Sequence, residues 1–417
     1  MKVICPGLGT KKKRISSLAM MLLALAAFSS PGAPKVDDGG RLWLNMGEGG
    51  YDYPAKYLYD VTFPYGKDEE RPDVTLGDVV LFLSSGRADL ESFINSSLGE
   101  RTAELWFPYM AWYNDPMNPS LVSYWKSRGL DKYAHLSSET GIATDYYVYV
   151  PEGAFESGDL YPLILVMHGG GEPAQQAETF GFQRVAAREG IILVSAEDTS
   201  PSLTNEVLEA VIRDYPVDES RIYSTGSSQG GNNSKLYAFS YPGRLAAMAP
   251  MDTPPAISTH FFTPSEEQLE NARSYHLPML FLGGTADMYG MYSAYDRAFF
   301  ASTYNYEEKY TKGWNELMDL IGVEGKDLTL EELCLNSDNP LNEGWHYTGF
   351  PFDEAVNIDK SGNSPAYLCS LDGVEDMKVC FVVNRPHMPS GNDAEVVWEF
   401  FRHYRRDTET GASIRID

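Results

Sequence analysis

Three short stretches of this 417-residue chain hold residue types that can transfer an acyl group. In the first, Gly226-Ser227-Ser228-Gln229-Gly230 fits the pattern G-x-S-x-G. A serine hydroxyl is a weak nucleophile; it reacts when a neighbouring base takes its proton. The pattern selects Ser228 over Ser224 and Ser227, because small residues must flank a sharp strand-to-helix turn for the backbones to approach. A five-residue match is weak alone. Its position after the apolar run "RIYST" and before the helical stretch "GGNNSKLYAFSYPGR" strengthens it, and the dipole of that helix would lie beneath the serine.

The second stretch is His168-Gly169-Gly170-Gly171, directly after "LILVM". Acyl transfer builds negative charge on a carbonyl oxygen, and preorganised backbone N–H groups hold that charge, each contributing about 3 kcal/mol. Gln229, the residue after the nucleophile, would supply one donor and Gly170 the other. Glycines in such a place also serve as plain turn residues.

The third is a carboxylate and a histidine. The histidine acts as base, and the carboxylate orients it. Asp287 follows the apolar run in "PMLFLGGTAD", and His387 follows "VCFVVN" in "VCFVVNRPH". The order Ser228, Asp287, His387 is the one expected of a serine nucleophile on a strand-to-helix turn. Asp376 and Asp372 are rival acids. The other histidines lie before the sheet (His135), in the glycine loop (His168), in a helix (His403) or away from strand ends (His260, His276, His346).

The elements that would position these residues alternate. Strands are expected over 145–151, within the apolar run 161–171 that ends in glycines, over 191–198, over 221–231 running into a turn, over 278–287 and over 377–384. Helices are expected over 179–190 (ending at Gly190), 205–216 and 393–406. Continuous apolar strands alternating with helices predict an α/β fold: a mostly parallel sheet with helices on both faces and the working site at the carboxyl ends of its strands.

Composition narrows the function classes. The formal net charge of −26 argues against nucleic acid and anionic membrane surfaces as partners. No His/Cys/Asp cluster has metal-ligand spacing, so neither metal nor cofactor is expected. Residues 1–33 read as a signal peptide, with "KKKR" at 11–14 and the short apolar run "LAMMLLALAAF" at 18–28, predicting a secreted protein, extracellular or periplasmic. Of four cysteines, Cys5 would leave with that segment, and Cys334, Cys369 and Cys380 could form one disulfide with one thiol over. Residues 34–135 are aromatic-rich and read as an N-terminal extension, with a strand at 74–83 and a helix at 87–98; the aromatics suit packing or sugar stacking.

Residues 140–408 resemble the α/β-hydrolase fold. More narrowly, they are similar to secreted serine esterases grouped with polyhydroxyalkanoate depolymerases, feruloyl esterases and acetylxylan esterases. "YVYVPEG", "YPLILVMHGGG", "VDESRIYSTGSSQGGNNSKLYAFSYPGRLAAMAP", "PMLFLGGTAD" and "PHMPSG" carry the resemblance. It implies Ser228 as nucleophile, Asp287 as acid, His387 as base, and Gly170 and Gln229 as oxyanion donors. The substrate class it implies is a carboxylic ester, such as an acyl or feruloyl ester on plant polysaccharide. The chain departs from the family in lacking a histidine in the strand before the acid. It also has a longer interval between acid and base, so that 288–375 reads as a cap-like insertion. Helical "EEKYTKGWNELMDLIG" and a capping-box start at Thr329 to Glu332 fall in it. Trp314, Trp345, Tyr347, Phe350 and Phe352 are candidates to line the substrate pocket, each with packing inside the insertion as the alternative role. A polyester depolymerase, a peptidase on the same fold, and a binding protein that has lost its chemistry are the competing readings.

Overall fold

Tyr161–Met167, which we label β3, is apolar throughout because both of its faces are buried. In the computed structural model, which describes residues 35–36, 42–45, 52–54, 116–117, 119–253, 255, 264–284, 306–320, 354–357, 365–371, 374–382 and 393–416, Leu163, Leu165 and Met167 join one core and Ile164 and Val166 the other. Alternation of side chains along a strand makes this division automatic, and it requires a helical layer on each side.

The sheet has ten strands. In chain order they are β1 (Leu130–His135), β2 (Tyr146–Pro151), β3, β4 (Ile192–Ala196), β5 (Val217–Ser227), β6 (Ala247–Met251), β7 (Met279–Gly284), β8 (Glu354–Asn357), β9 (Pro365–Leu371) and β10 (Val374–Val382). Their order in space is β8-β9-β10-β7-β6-β5-β3-β4-β2-β1. The six strands from β10 to β4 pair parallel, and the strands at both flanks pair antiparallel.

Helix α1 (Pro119–Ser127) precedes β1, and α2 (Phe182–Glu189) links β3 to β4, stopping at Gly190, whose left-handed φ of 70° closes its last turn. Helix α3 (Pro201–Asp214) links β4 to β5, α4 (Gln229–Ser240) leads from β5 towards β6, and α5 (Glu266–Tyr275) from β6 to β7. Helix α6 (Tyr306–Leu320) follows β7, and α7 (Asp393–Phe401) follows β10. One core holds buried side chains of α3, α4 and α6, and the other holds those of α1, α2 and α7.

Several boundaries differ from the sequence reading. The central sheet begins before position 140: Leu130–His135 pairs along its whole length with β2, so this part of the expected extension belongs to the main sheet. The described parts of 288–375 also join the main body. Trp314 of α6 is fully buried in the core, edge-on to Phe281 of β7 at 4.8 Å between ring centroids, and β8 and β9 widen the sheet. The closing helix stops at Phe401. There Tyr404–Arg406 turns into a hairpin with Ser413–Arg415, and Arg406 reaches the carbonyls of Gly243 and Glu219. Cys369 and Cys380 lie on neighbouring strands, with Leu368 opposite Cys380 in the register. A capping box is present at Ser265 and Gln268, opening α5. The expected signal peptide, the elements at 74–83 and 87–98, Cys334 and the Thr329–Glu332 capping box lie outside the described residues; Lys35–Val36, Leu42–Asn45 and Asp52–Pro54 form a small three-stranded antiparallel sheet.

A buried charge cluster ties the first strands to the rest. Glu178, 1% exposed, accepts hydrogen bonds from Lys132 Nζ at 2.6 Å, Tyr149 Oη at 2.5 Å and Trp125 Nε1 at 2.8 Å. The Lys132 ammonium also lies over the Tyr147 and Tyr149 rings at 5.4 and 5.1 Å. Removing one member of a buried ion pair leaves the other uncompensated, at a cost of about 3–5 kcal/mol. Glu178→Gln is therefore expected to lower unfolding free energy by roughly 3 kcal/mol in denaturant titration, and Glu178→Gln/Lys132→Met to recover much of that loss.

At the amino end of β10, Asp376 accepts from His276 Nε2 at 3.1 Å and from Tyr404 Oη at 2.9 Å. The hydrogen bond to Asp376 raises His276 above the ordinary histidine value, and that from His276 lowers Asp376. The histidine's contribution is thus complete below its unfolded value near about pH 6.5 and is lost as pH rises through the higher folded value. His276 has a left-handed φ of 48°, which asparagine tolerates. The melting-temperature gap between wild type and His276→Asn should be widest near about pH 5.5 and close by about pH 8.5.

Candidate active site

The site is assembled at the carboxyl ends of β3, β5 and β6. Register places Met167 beside Gly226, and Ser227 beside Met251. The nucleophile candidate therefore emerges between the end of β3 on one side and the end of β6 on the other. Ser228 sits between the strand and α4 with φ 58° and ψ −115°. A non-glycine residue in the left-handed region costs on the order of 1–3 kcal/mol and persists only where its surroundings enforce it. Here the enforcement is visible: the Ser228 N–H donates to the Met251 carbonyl at 3.0 Å, and the Ser228 carbonyl accepts from Asn232 N–H at 3.0 Å.

The flanking glycines are required by contact. A Cβ on Gly226 would lie 2.5 Å from the Met167 carbonyl oxygen and 2.7 Å from the Gly230 carbonyl carbon. One on Gly230 would press into the Met167 carbonyl and come within 2.6 Å of the His168 oxygen. These atoms are backbone and cannot rotate away. The turn thus packs directly on the strand that leads into the glycine loop.

That loop meets the start of α4. Gly170 lies so near Gln229 that a Cβ there would be 2.8 Å from the Gln229 Oε1. The two expected oxyanion donors are therefore neighbours, and the Gln229 N–H belongs to the first helical turn, whose amides have no acceptor within the helix. The preceding amide, Gly169 N–H, is fixed by Gln176 Oε1 at 2.5 Å. The Ser227 hydroxyl points elsewhere, donating to Asp252 Oδ2 at 3.0 Å, and Ser224 pairs with Ser234 at 2.8 Å beneath the turn. Of the three serines, Ser228 alone sits at the strained apex.

The structure also sorts the rival acids and bases. Asp376 stands at the opposite end of the sheet, next to Met377, which pairs with the first residue of β7. His168 is 8% exposed and each ring nitrogen rests against a backbone carbonyl, Gly169 O at 2.8 Å and Glu197 O at 3.1 Å. His135 bonds the Tyr215 hydroxyl at 2.6 Å and stacks on Tyr146. His276 is held by Asp376, and His403 faces Glu399 beyond α7. Asp287, His387, Asp372, Trp345, Tyr347, Phe350 and Phe352 lie outside the described residues. Trp314 is in the core, where the packing role was the alternative to lining the pocket.

One carboxylate at this end of the sheet was missed by the sequence reading. Asp252 directly follows β6, is 1% exposed and has a left-handed φ of 49°. The signal that singled out Asp287, an aspartate just after an apolar strand, is equally present in "AMAPMD".

Strand order, parallel pairing and the glycine-flanked serine at the end of the central strand decide the fold. The chain has the α/β-hydrolase fold. No protein-family model matches it, and no curated protein sequence matches it. Among solved structures it is similar to an acetyl xylan esterase from Aspergillus awamori, at 12% identity and a TM-score of 0.40 over 65% of this chain and 99% of that one. An S-formylglutathione hydrolase from Agrobacterium tumefaciens aligns at 15% identity and a TM-score of 0.34, over 48% and 85% of the two chains. A ferulic acid esterase aligns at 16% identity and a TM-score of 0.30, over 38% and 80%.

Because the Gly230 contacts are with backbone, Gly230→Ala should displace the turn rather than a side chain. The expected result is a loss of about 2–3 kcal/mol in stability and at least a roughly 100-fold slower reaction of Ser228 with a fluorophosphonate probe, read by gel fluorescence.

Proposed function

We infer that this protein is a serine hydrolase acting on carboxylic esters, with Ser228 as nucleophile. The observation that carries the reading is the strained backbone of Ser228 at a strand-to-helix turn whose glycines admit no side chain. Such a turn exposes a hydroxyl above a helix N-terminus and beside two amides that can receive an oxyanion. Gly170 and Gln229 are the donors in this reading, His387 the base and Asp287 the acid that orients it.

The Ser228 Oγ attacks the ester carbonyl carbon as His387 takes its proton. The tetrahedral oxyanion is held by the two amides. The bond to the alcohol oxygen breaks, and His387 returns the proton to that oxygen, leaving an acyl-serine. Water then gives a proton to His387 and attacks the acyl carbon. The bond to Ser228 breaks, the acid leaves, and the proton returns to the serine oxygen.

The basic and apolar N-terminal segments support export in this reading, and with it an extracellular or periplasmic substrate. The sequence resemblance to feruloyl and acetylxylan esterases favours acyl or feruloyl esters on plant polysaccharide. The test is hydrolysis of p-nitrophenyl acetate and butyrate, methyl ferulate, acetylated xylan, a polyhydroxybutyrate film and a prolyl-peptide anilide by residues 34–417 and by Ser228→Ala. Turnover of one or more esters is expected in the wild type, with at least a roughly 1,000-fold loss in Ser228→Ala. Activity that survives in Ser228→Ala would overturn the assignment.

A further inference from the structure

Both peptide units that flank Gly169 are held from outside the loop backbone. Gly169 N–H donates to Gln176 Oε1 at 2.5 Å. The Gly169 carbonyl accepts from His168 Nδ1 at 2.8 Å and from Glu172 N–H at 3.3 Å. Glycine is the residue freest to rotate about its own Cα, so a run of three glycines has no shape of its own. Fixing the peptide plane before Gly169 and the plane after it sets that residue's φ and ψ. The second plane carries Gly170 N–H. A trans peptide sends this N–H to the side opposite the Gly169 carbonyl, so whatever holds Gly169 also aims the Gly170 amide. Gln176 is itself well anchored. Its N–H donates to Pro173 O at 3.0 Å, and the neighbouring Ala174 carbonyl accepts from the buried Ser195 hydroxyl of β4 at 2.9 Å. Two residues further on, Glu178 is pinned by Lys132, Tyr149 and Trp125.

We propose that Gln176 is a positioning residue for the oxyanion pocket. Its side-chain oxygen takes Gly169 N–H, holds the glycine loop in one conformation, and so aims Gly170 N–H before any substrate arrives. Gln176 acts through Gly169 and touches no substrate. A donor aimed in advance needs no reorganisation when charge develops on the substrate carbonyl, and that charge exists only beyond the ground state. The hydrogen bond is therefore felt in kcat, whereas a bond that merely tied down a surface loop would be felt in stability alone. This role rests on the reading of Ser228 as nucleophile and of Gly170 as a donor.

Three variants separate the hydrogen bond from the space the side chain fills. Gln176→Met keeps the length and removes the acceptor. Gln176→Glu keeps an acceptor oxygen within reach of Gly169 N–H. Gln176→Asn keeps the amide but ends one methylene short of that N–H. The readouts are kcat and KM on the best ester found for the wild type, the rate of fluorophosphonate labelling of Ser228, and the melting temperature. The expected result for Gln176→Met is a fall of about 30-fold in kcat with KM within about 3-fold, and a parallel fall in labelling rate. This is smaller than the loss from deleting an oxyanion donor, because the donor is loosened and not removed. Gln176→Glu should recover at least about 5-fold of the lost kcat. Gln176→Asn should behave as Gln176→Met does, and it decides the matter if Gln176→Met does not fold. A kcat within about 3-fold of wild type in the folded Met or Asn variant would overturn the proposal. So would a loss carried by KM alone, or no recovery in Gln176→Glu. A wild type that turns over no ester and takes up no label at Ser228 would instead sink the nucleophile assignment, and this role with it.

Discussion

Gly226 and Gly230 lie against the carbonyl oxygen of Met167 so closely that no side chain fits between β3 and the turn. Everything that could do chemistry depends on that approach. It lets α4 start where β5 ends, so that the helix N-terminus lies under Ser228 rather than beside it. It also brings the start of the glycine loop to the same level, because His168 follows Met167 directly. Parallel pairing of β3 with β5 and of β5 with β6 fixes the register of all three ends at once. The strain at Ser228 is thus held by two neighbouring strands, and its geometry is a property of the sheet rather than of a loop.

Buried charge is the second theme. The chain is strongly acidic, with a formal net charge of −26, yet among the described residues Glu178, Asp252 and Asp393 are deeply buried carboxylates. Glu178 is neutralised by Lys132 and two further donors. It lies in the 3₁₀ turn Ala174–Phe180, the same turn whose Gln176 fixes Gly169. Asp252 follows β6 and accepts from the Ser227 hydroxyl.

The parallel strands were legible from sequence because burial on both faces leaves an uninterrupted apolar run, as in Leu163-Ile-Leu-Val-Met167 and Ile192-Leu-Val194. The Ser228 turn was legible because sterics allow so few residues there. Leu130–His135 was not, since Asp131, Lys132 and His135 break the apolar pattern and Lys132 is buried only because Glu178, far along the chain, receives it. Asp252 escaped notice because one sequence holds several aspartates after strands, and only the strand order reveals which strand neighbours the Ser228 turn. Trp314 was weighed for the substrate pocket on the position of its segment between acid and base, whereas α6 packs against β7 and takes the indole into the core. The helix expected over 393–406 was read past its end because the hairpin partner, Ser413–Arg415, carries no apolar signal of its own.

The Glu178 cluster sets the smallest piece of this chain that can stand alone. Resemblance to known enzymes starts near position 140, and a dissection guided by that boundary would discard Trp125 and Lys132. Glu178 would then lose its cation and its indole donor in the interior, and β2 would become a bare sheet edge open to pairing with other chains. The autonomous unit therefore begins upstream of Trp125. During synthesis α1 and β1 emerge first but can settle only after Glu178 has followed, some 46 to 53 residues later. The glycine loop is anchored through the same turn by Gln176, so the docking of the first strand and the setting of that loop share one short segment of chain.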